Sequence, residues 1–360
     1  MFEDDEEELL RGLIDAIKAL PRGEAWISTR QPRIDHQHQI DAVVRAEIAG
    51  VPFELLVEAR REAFPRDVRE AIWRLRSYLP QHPSGSNQVI PFFVARAISP
   101  GGRELLRQEN IGFYDLGGTL YLPGNQAFVY VDRPAPRKSS KVFDSIFQGQ
   151  KARVMLVVFE HRHDWLSVKH VAKEAQVSPA TASATLSEME RREWLDVKGS
   201  GPAKLRRLRA PGPLLDAWTQ YISNRKPPKL ERLYVPSADA NDLMHKLQWA
   251  CHEADADYAV TGEAAAQAYA PFLSSVSQVR CRIIPGVRRK EALDRLQARP
   301  VTEGWNLGLV ETNARGDVSV GERIDDIALA PPLQVYLDLL HGSGRSKEMA
   351  SHLRARMLSS

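Results

Sequence analysis

The chain has 360 residues, 43% hydrophobic and 26% charged, which is enough apolar content for two or three cored domains of an ordinary globular protein. Its formal net charge is only +3, so a basic footprint for nucleic acid has to be local. Met1 to Glu8 is acidic and no apolar run approaches the length of a membrane span; this argues against insertion or export and makes the cytoplasm the expected compartment. The two cysteines, Cys251 and Cys281, lie 30 positions apart without metal spacing and are expected to be reduced core thiols. Polar, proline-containing stretches at 133–140 and 223–229 divide the chain into modules 1–137, 141–225 and 230–360, with no internal repeat.

The first module reads as α/β. Leu10, Leu13, Ile14, Ile17 and Leu20 predict an amphipathic helix. Apolar residues alternate from Ile40 to Ile48 and run again from Val51 to Val57, a hairpin whose turn falls at Gly50-Val51-Pro52. Val68, Ala71, Ile72, Leu75 and Leu79 give a helix face over 65–79, followed by a strand at 89–95 and a helix opened by Ser99-Pro100. Strands then occupy Gly112 to Val131, with Gly117-Gly118 as a hairpin turn because no P-loop pattern surrounds it.

Asp41 opens the first hairpin strand and Glu58-Ala59-Arg60 closes the second, with Glu58 and Arg60 on one face by alternation. Two carboxylates brought together by a hairpin can hold a divalent cation while a basic neighbour stabilises a scissile phosphate. This order of elements and this acid, acid-x-base spacing resemble the core of the restriction-endonuclease-like superfamily. That resemblance implies a nuclease-like fold and, if activity is retained, Asp41 and Glu58 as Mg2+ ligands with Arg60 as anion stabiliser. Arginine stands where the family pattern has lysine; a guanidinium stays protonated and cannot shuttle a proton, so an inactive domain without a cofactor is expected. His36 and His38 alternate toward one face of an extended segment and could offer two imidazoles to a metal, but two solvated histidines before a strand are the commoner case.

The middle module reads as a winged helix-turn-helix. Ser167-Val168 opens a short helix through Glu174, Ala175-Gln176-Val177 makes the turn, and Ser178-Pro179 supplies an N-cap followed by proline at the first helical position. Ala182, Leu186 and Met189 face inward with Val168, Val171, Ala172 and Val177, leaving Ala180, Thr181, Ser183, Ala184 and Ser187 outside. Such a small, polar face lets backbone approach the major groove and hydroxyls reach base edges. Strand 194–197, turn Gly199-Ser200-Gly201-Pro202 and strand 204–209 form the wing. Residues 151–210 hold twelve Lys and Arg against seven Asp and Glu, an excess of five where the whole chain has three. Ser178, Thr181, Ser183 and Ser187 are therefore the expected groove contacts, and Arg191, Arg192, Lys204, Arg206 and Arg207 the expected phosphate contacts. His161 and His163 follow a helix, where the dipole accounts for them.

The last module is again α/β, with helix 241–253, strand 258–260, a helix capped by Thr261, strands 279–284 and 305–311 around a helix at 288–298, then a short segment at 325–340 and an amphipathic helix at 342–357. Glu263 in the first turn of its helix is explained by the dipole, and Arg345, Lys347, Arg354 and Arg356 by a solvated helix side. The stretches Tyr258 to Ala265, Pro331 to Leu340 and Gly344 to Arg354 are similar to the AbiE-type (AbiEi) antitoxin and transcriptional regulator family of type IV toxin–antitoxin systems. With the winged helix the similarity covers about residues 150–357. It implies a repressor of its own operon that binds duplex operator DNA and counteracts a nucleotidyltransferase-like toxin; many such regulators bind inverted repeats as homodimers, and nothing in the sequence fixes the oligomer. The sequence thus describes an α/β multidomain chain: a restriction-endonuclease-like module, a winged helix and a C-terminal α/β module. A regulator without enzymatic activity leads; a metal-dependent nuclease guided by the winged helix and an antitoxin lacking DNA affinity are the alternatives.

Overall fold

The computed structural model describes residues 2–32, 40–81, 88–133, 143–312, 318, 321–342 and 344–358. His36 and His38 and most of the 133–140 linker lie outside the described residues. By internal contacts the chain forms two units, Met1–Ser145 with Glu188–Glu193, and Ile146–Ser187 with Trp194–Ser360. Both are mixed α/β.

The first unit is built on a seven-stranded sheet in sequential order β1 to β7. Helix α1 (Phe2–Lys18) is followed by β1 (Gly23–Arg30), β2 (Ala42–Ile48) and β3 (Val51–Ala63), an antiparallel meander. Helix α2 (Pro65–Tyr78) leads to β4 (Gln88–Ile98), and α3 (Pro100–Gln108) to β5 (Gly112–Asp115); β3, β4 and β5 run parallel. Strands β6 (Leu120–Pro123) and β7 (Phe128–Val131) complete the sheet antiparallel. Leu9, Leu10, Leu13 and Ile17 of α1 cover one face, over Leu55, Val57, Phe92 and Val94. Val68, Ala71, Ile72 and Leu75 of α2 cover the other, over Leu56 and Phe93. Burial on both faces is why β3 and β4 read as continuous apolar runs, and each such side chain contributes about 1.5–3 kcal/mol of transfer free energy.

Two local readings of this unit need correction. The hairpin turn is Ala49-Gly50, at φ 53° and 84°, and Val51 already pairs with Ile48 in β3. A two-residue loop with both residues in the left-handed region matches the twist of the flanking strands, so the turn sits one residue earlier than Gly50-Val51-Pro52 suggests. Strand β1 is also absent from the pattern reading. It is an edge strand with a register shift between Ile27 and Thr29, and only Ala25 is buried, so no apolar alternation announces it. Helix α3 behaves as expected: the Ser99 hydroxyl accepts the Gly102 N–H at 3.2 Å and Pro100 opens the first turn.

The second unit begins with α4 (Gly149–Glu160), α5 (Val168–Glu174) and α6 (Pro179–Arg191), the last turn of α6 being counted with the first unit. Strands β8 (Leu195–Lys198) and β9 (Leu205–Leu208) form a hairpin, and α7 (Pro211–Ser223) follows. The proline-glycine-proline start of α7 conceals a helix from pattern reading, although proline suits a first turn and Leu214, Leu215 and Trp218 are buried.

A five-stranded sheet in the order β11-β12-β14-β10-β13 then collects β10 (Glu231–Tyr234), β11 (Tyr258–Thr261), β12 (Val279–Ile283), β13 (Arg299–Pro300) and β14 (Leu307–Glu311). Only β12 and β14 are parallel. Helices α8 (Ala240–Glu253), α9 (Gly262–Tyr269) and α10 (Val287–Arg295) lie between strands, and the short β15 (Arg323–Ile324) and β16 (Ile327–Ala328) pair with each other. Helices α11 (Pro332–Leu339) and α12 (Arg345–Leu353) close the unit. Thr261 stands at the N-cap of α9 but makes no capping bond; its hydroxyl donates to Asp338 instead, at 2.6 Å. Cys251 and Cys281 are both buried and free. No described helix is long and apolar enough to cross a membrane.

Candidate nucleic-acid interface and carboxylate cluster

Around α5 and α6 the local chemistry follows the sequence closely. Ser167 accepts the His170 N–H at 3.2 Å and starts α5. Gln176, at φ 51°, turns the chain, and Ser178 accepts the Thr181 N–H at 3.1 Å to start α6. Ala182, Leu186 and Met189 are fully buried with Val171, while Val168 and Val177 are half-buried. Ala180, Ala184 and Ser187 are exposed; Thr181 and Ser183 are half-buried. The Thr181 hydroxyl lies 2.9 Å from that of Ser178 and donates to Gln150 at 3.3 Å, so a base contact by Thr181 has to replace these bonds.

The hairpin beyond α6 carries an uneven set of cations. Gly199 and Gly201, at φ 76° and 57°, permit its turn. Leu166 exchanges backbone hydrogen bonds with Arg206, a single antiparallel bridge alongside the two-stranded hairpin. Alternation along β9 puts Arg206 and Leu208 on the inner side and Arg207 on the outer side. Arg206 is 6% exposed, which corrects its assignment as a phosphate contact: it occupies an inner position of the strand with Leu208. Arg207 sits 4.8 Å from the centre of the Trp165 ring and 3.5 Å from Asp196; Lys198, exposed, lies 6.0 Å from the same ring centre. Lys204 is half-buried. Lys198 was missed in the motif reading, although its place immediately before the glycine turn is the available signal.

Arg191 and Arg192 also differ from the expectation of open phosphate contacts. Arg191 donates to Asp67 at 2.7 Å and to the Glu62 carbonyl at 3.3 Å, with its guanidinium 4.4 Å from the Phe64 ring. Arg192, whose side chain is 9% exposed, donates to Glu188 and to the Phe143 carbonyl at 2.8 and 2.7 Å. Burial lowers its pKa against the opposing pull of Glu188. Two adjacent arginines after an exposed helix face look like a basic patch in sequence, yet both are held by partners inside the first unit.

The second cluster joins β2 to β3. Asp41 accepts the Ala59 N–H at 2.6 Å, and Arg60 lies 2.9 Å from Glu58 and 3.6 Å from Asp41. Arg74 of α2 lies 3.8 Å from Glu58. Sequence spacing therefore located Asp41, Glu58 and Arg60 as one constellation but not Arg74, which arrives from a helix turn with no motif of its own. Glu58 is 1% exposed, and its Oε2, though within ion-pair distance of Arg60, has no hydrogen bond. Burial pushes the Glu58 carboxyl up from 4.5 to about 7, Asp41 adds to this, and Arg60 and Arg74 pull back.

These residues do not fit a divalent cation as they stand. Two guanidiniums already face the two carboxylates, and among the described residues no three His, Cys, Asp or Glu side chains converge as a ligand set. The cluster instead ties β2, β3 and α2 together electrostatically. Between pH 4.5 and about 7 the folded chain retains a Glu58 proton that the unfolded chain has lost, so this group makes stability fall as pH rises through that window. Glu58→Gln is expected to remove that fall, by no more than about 3 kcal/mol. Urea midpoints measured for both proteins from pH 4 to 8 check it; parallel curves would refute the assignment.

No family model and no curated protein matches the chain. Among solved structures, a repair endonuclease from Pyrococcus abyssi is similar at 22% identity with a TM-score of 0.22, over 31% of this chain and 46% of that one. The chain thus spans less than half the length of that endonuclease, and a likeness this slight carries no argument.

Proposed function

We propose that this chain is a DNA-binding transcriptional regulator that represses its own operon and acts as the antitoxin to a nucleotidyltransferase-like toxin. The observation that carries the reading is the exposed small-residue face of α6, Ala180, Ala184 and Ser187, followed in the chain by a hairpin bearing Lys198 and Arg207. Read as a winged helix-turn-helix, α6 enters the major groove and the hairpin holds phosphates. The three stretches similar to AbiE-type antitoxins are also bonded to one another, Thr261 to Asp338 at 2.6 Å and Ser346 to Glu263, which supports reading them as parts of one module. The first unit, with Asp41 heading β2 and Glu58 on β3, supports a restriction-endonuclease-like domain whose site has become an ion-pair cluster.

A gel-shift titration against DNA from upstream of the gene, with scrambled competitor and with or without Mg2+, tests the reading. Competitor-resistant binding of intact DNA is expected. Mg2+-dependent fragmentation abolished by Glu58→Ala would replace it with the nuclease reading, and neutralisation of a toxin without DNA affinity would reduce it to the antitoxin part. Lys198→Ala with Arg207→Ala should weaken binding to all duplexes alike and lower the slope of log affinity against log salt by about 2. An unchanged slope would remove the hairpin from the interface.

A further inference from the structure

A cleft of ≈ 600 Å³ opens on one side of the five-stranded sheet of the second unit, within the range of small-molecule sites. Strand register explains its chemistry. Thr261 of β11 pairs with Arg280 of β12, Arg280 with Gly308 of β14, and Gly308 with Arg232 of β10. In-register residues share a sheet face, so the two arginines stand two strand spacings apart, about 9.5 Å, with glycine between them. Leu230 covers that glycine: a Cβ there would lie 2.9 Å from Leu230 Cδ1.

The neighbouring row behaves differently. Arg282 donates to Asp338 through two nitrogens, at 2.9 and 2.6 Å, and Thr261 and Gln334 bond the same carboxylate. Asp338 is the acid in the lining and it is fully engaged. Arg232 and Arg280 both line the cleft, and among the described residues neither guanidinium has a hydrogen-bond or ion-pair partner. Thr261, Thr302 and His341 add further polar groups to the lining. Leu230, Val301 and Val310 form the apolar walls.

We infer that this cleft binds the phosphate dianion of a small phosphate ester, with Arg232 and Arg280 converging on the phosphoryl oxygens and the apolar walls receiving the organic part. Two guanidiniums match the double charge of a phosphate dianion, and each fork offers parallel donors to two of its oxygens, whereas a carboxylate has one charge and oxygens for one fork. A walled cleft with apolar sides encloses a molecule; a nucleic-acid backbone is instead met along an open basic surface. The inference goes beyond the regulator reading and does not rest on it: it supplies that regulator with a site for a metabolite.

Isothermal titration of the full chain with AMP and with inorganic phosphate, at constant ionic strength, tests it. One saturable site is expected, tighter for AMP, with Arg232→Ala and Arg280→Ala each weakening binding by about tenfold or more. Arg280→Lys, which keeps the charge and loses the fork, should be intermediate and serves as the folding control beside a thermal melt of each variant. Absence of binding by both ligands at millimolar concentration would overturn the inference. So would binding indifferent to both alanine substitutions, or loss of duplex-DNA binding in those variants without competition by AMP. Operator binding is read separately by gel shift, so its failure leaves this result standing.

Discussion

Asp338→Ala is expected to destabilise the second unit by about 3–5 kcal/mol, because it leaves a guanidinium in the interior without its counter-charge. The carboxylate is 12% exposed and the Arg282 side chain 15%, so solvent replaces little of what is removed. Three side chains donate to this one group, Arg282, Thr261 and Gln334, and all three lose their acceptor together. Burial pushes the Asp338 carboxyl up, and the charge and hydrogen bonds of Arg282, with those of Thr261 and Gln334, more than reverse it, so its pKa lies below 3.8. A depressed acid contributes stability that is present above the unfolded value and lost as pH falls below it. Chemical denaturation at pH 7 should show the full loss in Asp338→Ala, and the difference from wild type should shrink on acidification below about pH 4. Equal midpoints at pH 7 would mean that Arg282 simply turns to water and that the network holds nothing.

The largest effect on the proposed activity is expected from Ala184→Glu. Ala184 lies at the middle of α6 on its exposed side, opposite the buried Ala182, Leu186 and Met189. Glutamate is a good helix former, so the substitution should leave the melting temperature within a degree or two. Placed against a phosphate-lined groove, its charge and bulk should cost several kcal/mol, a loss of about 100-fold or more in affinity. Ala184→Ser, small and neutral, separates charge from the mere loss of a methyl and should bind nearly as wild type. Undiminished DNA binding by a folded Ala184→Glu protein would take α6 out of the groove.

Where an element's own periodicity and caps decide its state, the sequence was readable. Ser99, Ser167 and Ser178 all cap the helices they announce, and the inward residues of α6 are those that its spacing selects. Reading failed where tertiary position decides. β1 is an edge strand that buries one residue, so its composition resembles a loop. The fates of Arg191, Arg192 and Arg206 depend on partners distant in sequence or on the phase of a short strand, and composition counts them only as charge. Asp41, Glu58 and Arg60 were legible because a hairpin brings them together by register alone, whereas Arg74 reaches Glu58 from α2 and the row Arg232, Gly308, Arg280 exists only once strands from separate parts of the chain are aligned.

The two cysteines have a consequence for how this unit ages. Cys251 and Cys281 are buried on adjoining elements of the second unit, and burial pushes Cys251 up to about 12 and raises Cys281 well above the ordinary thiol value. The thiolate is the species that reacts with oxidants and alkylating agents, and at neutral pH the native unit holds almost none of it. Chemical damage therefore passes through molecules that have momentarily opened, and its rate is the opening equilibrium multiplied by the reactivity of an ordinary exposed thiol. Resistance to oxidation here is a property of the sheet, inherited by the sulfur.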